Sequence, residues 1–504
     1  MNETIILHPG DSVAVALHPM AAGSSAEYMV NGKNHALEVL DETPKGHKIA
    51  IRFIASGEPV MKFGYPIGVA TCDIPAGTWV HSHNLKTGLG EVLEYEYQPV
   101  EVQQVPAPTQ GVESLYFEGY QRENGEVGIR NEIWILNTVG CINKSCELLA
   151  KLAHEQFSGS GIDGVYHFAH PYGCSQLGDD LVFTQKLLAS LAHHGNAAGI
   201  LVVGLGCENN QIESFRELLG DLDPERVRYL KSQDVENEID EGMELIAELA
   251  AYGSRYQREK IPFSKLKIGL KCGGSDGLSG ITANPLAGRI ADTITGQGGT
   301  ALMTEVPEMF GAETIFMNRA VNETLFHQVC DLVNDFKQYF VNHGQPIYEN
   351  PSPGNKDGGI TTLEEKSLGC TQKGGQAAVT GVLQYGQRST VQGLNLIQGP
   401  GNDLVSVTAL AASGAHLVLF TTGRGTPFGG PVPTVKISTN SELARRKKHW
   451  IDFNAGALLE GNSMDDLHQE LVNYIIDLSS GTRKTANERN GFREIAIFKD
   501  GVTL

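Results

Sequence analysis

Five cysteines in this 504-residue chain sit beside glycine or serine, at or just after short apolar runs that read as strands. They are Cys141 in Gly140-Cys141-Ile142-Asn143, Cys174 in Tyr172-Gly173-Cys174-Ser175-Gln176, Cys207 in Gly206-Cys207-Glu208-Asn209-Asn210, Cys272 in Lys271-Cys272-Gly273-Gly274-Ser275-Asp276, and Cys370 in Leu368-Gly369-Cys370-Thr371-Gln372-Lys373. In α/β sheets ligands bind beyond the carboxyl ends of strands, and small residues there let backbone approach a ligand closely. A thiol beside carboxylate and amide groups in such a place is a candidate ligand or nucleophile. The pattern is that of an enzyme whose site is assembled from several strand ends.

Other constellations carry alternatives. His81-Ser82-His83-Asn84 closes a β-type segment. In a strand, residues i and i+2 face the same way, so both imidazoles would project together. They read either as two cis ligands of one divalent metal or as two exposed strand histidines. In the Cys207 loop, Asn209 or Asn210 could simply cap the next helix, whereas Cys207 and Glu208 are harder to explain as caps. Asp179 or Asp180 after Cys174 reads as such a cap. The turn Cys272–Gly280 could hold a carboxylate or phosphate on backbone N–H groups. It is not G-x-G-x-x-G, and no acidic residue stands at a strand end about 20 positions on, so a dinucleotide site is weakly supported. Thr421–Gly430 lacks the Gly-Lys-Ser/Thr of a P-loop; its Arg424 either pairs with a substrate carboxylate or closes the loop. Arg445-Arg446-Lys447-Lys448-His449 reads as a solvated helix face, and Cys146 and Cys330 as core residues of helices.

These groups need elements to position them. Residues 1–97 are rich in short β-type segments punctuated by Gly and Pro (Ser12–Leu17, His47–Ile54, Thr78–His83, Gly90–Tyr97) and read as a small β domain. A Pro- and Gln-containing stretch over 98–113 reads as a linker. From residue 114 the order becomes strand, Gly-rich loop, helix. Strands are expected at Glu132–Leu136, Gly164–Ala169 and Gly199–Val203, with helices near Lys144–His154, Asp180–His193 and Gln211–Leu219. A second set of strands follows at Leu266–Leu270, Thr300–Thr304, Leu394–Ile397, His416–Thr421 and Thr434–Ile437. Such alternation predicts a parallel-sheet α/β body, divided as lobes 114–262 and 263–504 or built as one long sheet. The polar, Gly-containing stretch 345–375 reads as a functional excursion.

Composition narrows the class. With 39 basic and 59 acidic side chains the net charge is −20, which argues against nucleic acid but leaves room for an anionic small molecule in a locally basic pocket. Glycine supplies 59 residues, well above the usual ~7%, mostly at strand ends. No apolar run reaches the ~18–20 residues of a membrane helix, and the first residues do not resemble a signal peptide. Eight scattered cysteines suit a reducing compartment, so a cytoplasmic protein is expected. Close Cys-x-x-Cys spacing is missing, against a zinc ribbon or a ferredoxin-type cluster, although three separate loops could still supply three cysteines to a cluster.

Taken together, the long motifs Tyr172–Asp180, Gly204–Asn210, Lys271–Pro285, Thr304–Glu308 and Asn350–Asn355, with His81–Asn84 and Asn131–Leu136, resemble the altronate/galactarate dehydratase family over nearly the whole chain. The resemblance implies an N-terminal SAF (β-clip) domain. It implies Fe2+- or Mn2+-assisted loss of water from a sugar acid, with D-altronate giving 2-dehydro-3-deoxy-D-gluconate in hexuronate breakdown. Galactarate dehydratases and sulfolactate sulfo-lyases share this architecture and are the alternatives within enzymes. A sugar-acid-binding protein without turnover and a cysteine-nucleophile enzyme are the others.

Such a dehydration removes the proton on C2 and the hydroxyl on C3, so a base, an acid and a charge-stabilising cation are required. From the matched motifs, the metal is expected on His81, His83 and Cys174, with Glu208 as a further ligand or catalytic carboxylate. Lys373 is expected to be the base, which needs a depressed pKa, or else a clamp for the substrate carboxylate. Asn209, Asn210, Ser275, Asp276 and Arg424 are expected to hold hydroxyls and the carboxylate. The partner is thus a small sugar acid, without nucleic acid or membrane, and a homo-oligomer is compatible with the chain.

Overall fold

The computed structural model describes residues 3–90, 92–100, 114–220 and 222–502. Most of the expected 98–113 linker lies outside the described residues.

The first 90 residues are all β. Strands Thr4–Ile5, Val13–Ala16, Lys48–Ala50 and Trp79–Val80 form an antiparallel sheet. A hairpin (Ser25–Val30, Lys33–Glu38) and a three-stranded sheet (Pro59–Lys62, Tyr65–Ala70, Leu85–Lys86) complete it. Val13, Ile54, Val60, Ile67, Ile74 and Val80 fill its small core, which continues onto Ala312 and Leu368 of the body. The segment after it makes no strand: residues 92–97 run against the body as irregular chain, with the Tyr95 hydroxyl donating to Glu313.

The body holds two parallel sheets, whose strands are numbered together in chain order. In the first, β1 (Glu132–Asn137), β2 (Gly164–His167), β3 (Ala197–Gly204) and β4 (Val227–Lys231) pair in the order β2-β1-β3-β4. All eight residues of β3 are buried, as expected of a strand covered on both faces. Helices α1 (Asn143–Phe157) and α4 (Glu238–Gly253) cover one face, and α2 (Gly178–Ala192) and α3 (Ile212–Leu219) the other. An antiparallel clasp of Tyr116–Gln121 with Val127–Gly128 and Arg258–Pro262 joins the chain entering this unit to the chain leaving it.

The second sheet contains β5 (Lys267–Cys272), β6 (Thr300–Met303), β7 (Val379–Leu383), β8 (Gly393–Ile397), β9 (Leu417–Thr422), β10 (Thr434–Ser438) and β11 (Phe453–Asn454). Their order is β7-β8-β6-β5-β9-β10-β11, parallel throughout. From β5 the chain moves toward β6, whereas from β9 it moves toward β10. The loops after β5 and β9 therefore part at a crevice, the place where open α/β sheets bind ligands. The last residues return to the first sheet: Arg493 donates to both carboxylate oxygens of Glu132 at 2.8 and 2.9 Å, and Arg130 pairs with Glu488 at 2.7 Å. The protein is thus a β-rich N-terminal domain, as expected of the SAF resemblance, followed by a large mixed α/β body. Among the described residues no helix is long and apolar enough to cross a membrane.

Candidate active site

Cys272 is the last residue of β5, and it opens onto the crevice. Around it stands a buried group of charges that no single segment could supply. Glu305 follows β6 in a left-handed conformation (φ 70°), rare for a non-glycine residue and found mainly where a site demands it. That turn sends its carboxylate back to the Cys272 N–H (3.2 Å), to Lys271 and to Lys373 (3.1 Å). One short turn later Glu308 reaches Cys370 Sγ (3.0 Å), Cys272 Sγ (3.3 Å) and Lys366 Nζ (2.8 Å). The two sulfurs lie 3.3 Å apart, and Lys373 Nζ is 2.9 Å from Cys272 Sγ. Lys366, Cys370 and Lys373 come from the 345–375 excursion, whose helix Leu363–Thr371 is buried along its whole length. Cys370 is therefore a helix residue, not a strand-end residue: packing has turned a short apolar run into a core helix.

The SAF domain closes this site. Glu365, next to Lys366, accepts from Lys48 and Lys62 of the SAF sheets, each at 2.8 Å, and all three side chains are at most 2% exposed. Lys48 also donates to Gly359 O and Thr361 Oγ1. The preceding Glu364 takes the Thr87 hydroxyl (2.9 Å) and the Gly88 N–H (2.6 Å). Between the two domains runs a narrow cleft of about 10 Å³, room for about one water, whose wall carries Lys62 and Lys366 beside Glu365 and Asp276, with Ser275, Ser279, Asn284 and Cys370.

The charges set one another's protonation. Burial alone would neutralise Glu308, but Lys366, Lys271 and Lys373 hold its carboxyl well below the usual range. Burial opposes the Lys373 charge too, yet Cys272 and Glu305 keep this ammonium protonated far above neutrality. Lys271 and Lys366 are raised in the same way, against burial, by Glu305 with Asp403 and by Glu308 respectively. The Cys370 thiol is pushed up, first by its contact with Cys272 and then by burial. Lys48 behaves oppositely: burial outweighs Glu365 and brings it down to about 8. The depressed lysine expected at position 373 is therefore found at position 48.

Among the described residues, Cys272, Glu308 and Cys370 are the one group of three potential metal ligands with donor atoms within 4.8 Å of one another. Two sulfurs and one carboxylate oxygen suit Fe2+ better than the oxygen-preferring Mn2+ or Mg2+, and ligation would release the Cys370 proton. The donor set fits iron.

The structure does not bring together the expected ligands His81, His83, Cys174 and Glu208. The strand ends at Val80, and His81–Asn84 is a turn in which Asn84 Oδ1 accepts the His81 N–H, so the two-residue period does not extend to His83. His81 is buried against Thr361 Oγ1 (2.9 Å), whereas His83 is exposed. Burial lowers the His81 pKa to about 4. Cys174 is exposed on the first α/β unit, and no metal-ligand group among the described residues joins it to either histidine. Glu208 folds onto its own loop, taking Thr138 Oγ1 and the N–H groups of Leu205 and Gly206. Burial pushes its carboxyl up, but these bonds outweigh it and hold the pKa below its ordinary value. Asn209 accepts from the Ser175 N–H and Asn210 donates to Thr138 O, and neither lines the cleft. Ser275 and Asp276 do line the cleft. Asp276 is fastened by Ser279, Thr439 and the Leu278 N–H, and burial raises its pKa. Arg424 is exposed, its backbone N–H tied to Gly274 O.

Sequence reasoning passed over Lys48, Lys62, Glu305, Glu308, Glu365 and Lys366. Thr304–Glu308 was among the motifs, and that was the available signal for two of them. The SAF lysines gave none, because only the contact with Glu365 distinguishes them from surface lysines.

Comparison with known proteins follows the same division. The family described as Altronate/galactarate dehydratase SAF domain matches residues 2–88. D-galactarate dehydratase/Altronate hydrolase, second domain, matches residues 119–254, and D-galactarate/Altronate dehydratase, C-terminal, matches residues 263–503. The chain is 52% identical to altronate dehydratase of Escherichia coli (strain K12) over 501 residues, 99% of each chain. It is 50% identical to altronate dehydratase of Bacillus subtilis (strain 168) over 510 residues, the whole of each. Galactarate dehydratase (L-threo-forming) of Escherichia coli (strain K12) is more distant, at 31% over 98% of this chain and 96% of that protein. With all three segments matched in order along the chain, it belongs to the altronate/galactarate dehydratase family.

Proposed function

We propose that this chain is a carbon–oxygen hydro-lyase that dehydrates D-altronate to 2-dehydro-3-deoxy-D-gluconate, in hexuronate breakdown and in the cytoplasm. The observation that carries the reading is the buried Cys272–Glu308–Cys370 group among protonated lysines, in a chain aligned end to end with altronate dehydratases. We read 114–262 and 263–504 as two lobes, with this site on the second lobe and the SAF domain as its lid.

The substrate is an anion with several hydroxyls. The cleft must widen to admit it; Lys62 and Lys366, now paired with Glu365 and Glu308, would then share their ammonium groups with its carboxylate, and Ser275, Ser279 and Asn284 would offer hydrogen bonds to hydroxyls. Fe2+ held by Cys272, Glu308 and Cys370 would supply a Lewis acid that eases loss of the C2 proton and of the C3 hydroxide. The protonated Lys373, locked by Glu305 beside Cys272, adds fixed positive charge where negative charge develops. Its raised pKa suits this electrostatic role, not proton abstraction. Packing of the SAF domain over the site keeps water out and strengthens each of these interactions.

Anaerobic turnover of D-altronate with and without added Fe2+, read as 2-keto-3-deoxy acid, tests the proposal. Iron-dependent product is expected. Product from galactarate alone would change the substrate, and no product from either acid in iron-loaded protein would refute the dehydratase reading.

A further inference from the structure

Three of the five cysteines beside glycine or serine remain outside the buried Cys272–Glu308–Cys370 group, and they lie together at the first parallel sheet. Cys141 follows β1, Cys174 follows β2 and Cys207 follows β3. From β1 the chain goes to α1 on one face, and from β3 to α3 on the other. The crevice between the ends of β1 and β3 is thus the switch point of this sheet, a second ligand position independent of the one at β5 and β9. The Cys174 loop is laid across it. The Gly140 N–H donates to Tyr172 O (2.7 Å), the Asn210 N–H to Gly173 O (3.1 Å) and the Ser175 N–H to Asn209 Oδ1 (2.8 Å). These bonds stitch the three cysteine loops into one cluster.

The backbone there is built at some cost. Gly173 (φ 101°) leaves no room for a side chain, since a Cβ would stand 1.9 Å from Thr138 O, and Ser175 is left-handed (φ 56°) without being glycine. All three thiols are exposed and free, although a buried position is usual for a cysteine that only packs. The Gln233 amide points a donor at Cys207 Sγ (3.8 Å), and the Ser175 hydroxyl lies 3.8 Å from Cys174 Sγ. Hydrogen bonds to sulfur of this kind tune iron–sulfur centres. Among the described residues the three sulfurs do not fall within the 4.8 Å that a single ion demands of its ligands. A polynuclear core, with its metals at separate corners, spreads its thiolates wider.

We infer that Cys141, Cys174 and Cys207 hold an iron–sulfur cluster of the [4Fe–4S] class, one iron corner being left to a ligand not supplied by these cysteines. Each thiol loses its proton on ligation, and no electron transfer is needed to seat a preformed core. This site goes beyond the dehydratase reading and does not depend on it.

The full chain, reconstituted anaerobically with equal ferrous and ferric iron and sulfide, so that a [4Fe–4S]2+ core forms without a further oxidant, is assayed for iron, acid-labile sulfide and visible thiolate-to-iron absorption. About four sulfides per chain are expected. At least a five-fold loss of sulfide is expected in Cys174→Ser and in the triple Cys141→Ser/Cys174→Ser/Cys207→Ser variant, and full retention in Cys272→Ser/Cys370→Ser. Sulfide-free wild type, sulfide retained in the triple variant, or a single sulfide-free iron lost with these cysteines would each overturn the inference. Alkylation of wild type avoids any folding defect: loading should protect Cys141, Cys174 and Cys207 several-fold, and equal labelling of loaded and unloaded protein refutes the site. Turnover of altronate is a separate readout, so failure here leaves the dehydratase proposal standing, and the converse holds.

Discussion

Replacing Glu365 by Gln should destabilise the protein by about 3–5 kcal/mol, the usual cost of breaking a buried ion pair from one side. The carboxylate is 1% exposed and accepts from Lys48, Lys62 and the Thr361 N–H, each at 2.8 Å. Despite burial, Lys48 and Lys62 hold its pKa at about 2 instead of 4.5. That difference is worth about 3 kcal/mol at neutral pH, in accord with the first figure. Glutamine keeps the shape but leaves two ammonium groups buried without a counter-charge. The same magnitude runs the other way at Lys48, whose pKa falls from 10.5 to about 8, so its burial costs about 3 kcal/mol. The triad as a whole should therefore contribute little net stability. The triple change Lys48→Met/Lys62→Met/Glu365→Leu is expected to cost less than the single Glu365→Gln. Urea unfolding followed through Trp79, which sits in the SAF sheet beside His47, reports the affected interface directly. A Glu365→Gln midpoint matching wild type, or a triple variant weaker than the single one, would refute the reasoning.

Further outcomes follow from the same structure. Cys370→Ser should lower bound mononuclear Fe2+ and altronate turnover together by at least ten-fold, with unfolding little changed; unchanged iron binding would remove Cys370 from the ligand set. Lys373→Met should lower kcat by about 10²–10³, as loss of a preorganised cation does, while Lys373→Arg loses less. A pH limb near neutrality that disappears in Lys373→Arg would restore the base reading. Acid should destabilise the fold before the carboxylates titrate. Burial lowers His167 to about 4 and His416 to about 3, so the unfolded chain, near 6.5, takes up these protons first. Their contribution is complete above pH 6.5 and is lost toward pH 3–4, at about 1.4 kcal/mol per group per pH unit. Urea midpoints that stay constant from pH 7 to pH 4.5 would contradict this.

Fold and site differed in how far they could be read from sequence. Strands such as Glu132–Asn137 and Thr434–Ser438 lie within a residue of expectation, because continuous apolar runs bounded by glycine leave a parallel strand few alternatives. Edge strand Val379–Leu383 was missed: its middle residues are only half-buried, so its apolar signal is weak. Local grammar found the loops around Cys272 and Ser275, yet it misjudged His81 and His83, where the expected strand stops three residues early, at Val80. It also left Lys373 open between a base, which needs a lowered pKa, and a carboxylate clamp, because the partners that raise it, Cys272, Glu305 and Glu308, lie more than sixty positions away. Roles set by long-range charge are invisible until the chain is folded.

The cleft, lined by Lys62 and Lys366 beside Glu365 and Asp276, sits in a chain of net charge −20, and with a bound cation the two would act oppositely on an arriving sugar acid. At long range the acidic envelope repels the anion; inside the last few ångströms Fe2+ on the Cys272–Glu308–Cys370 group, with the nearby ammonium groups, would attract it. Added salt, with a Debye length of about 10 Å at 0.1 M, screens the distant repulsion before the sheltered attraction. Association of the sugar acid should therefore quicken on going from very low to physiological ionic strength, the reverse of ordinary steering between opposite charges. Electrostatically, the cleft is a well behind a rim, and salt lowers the rim first.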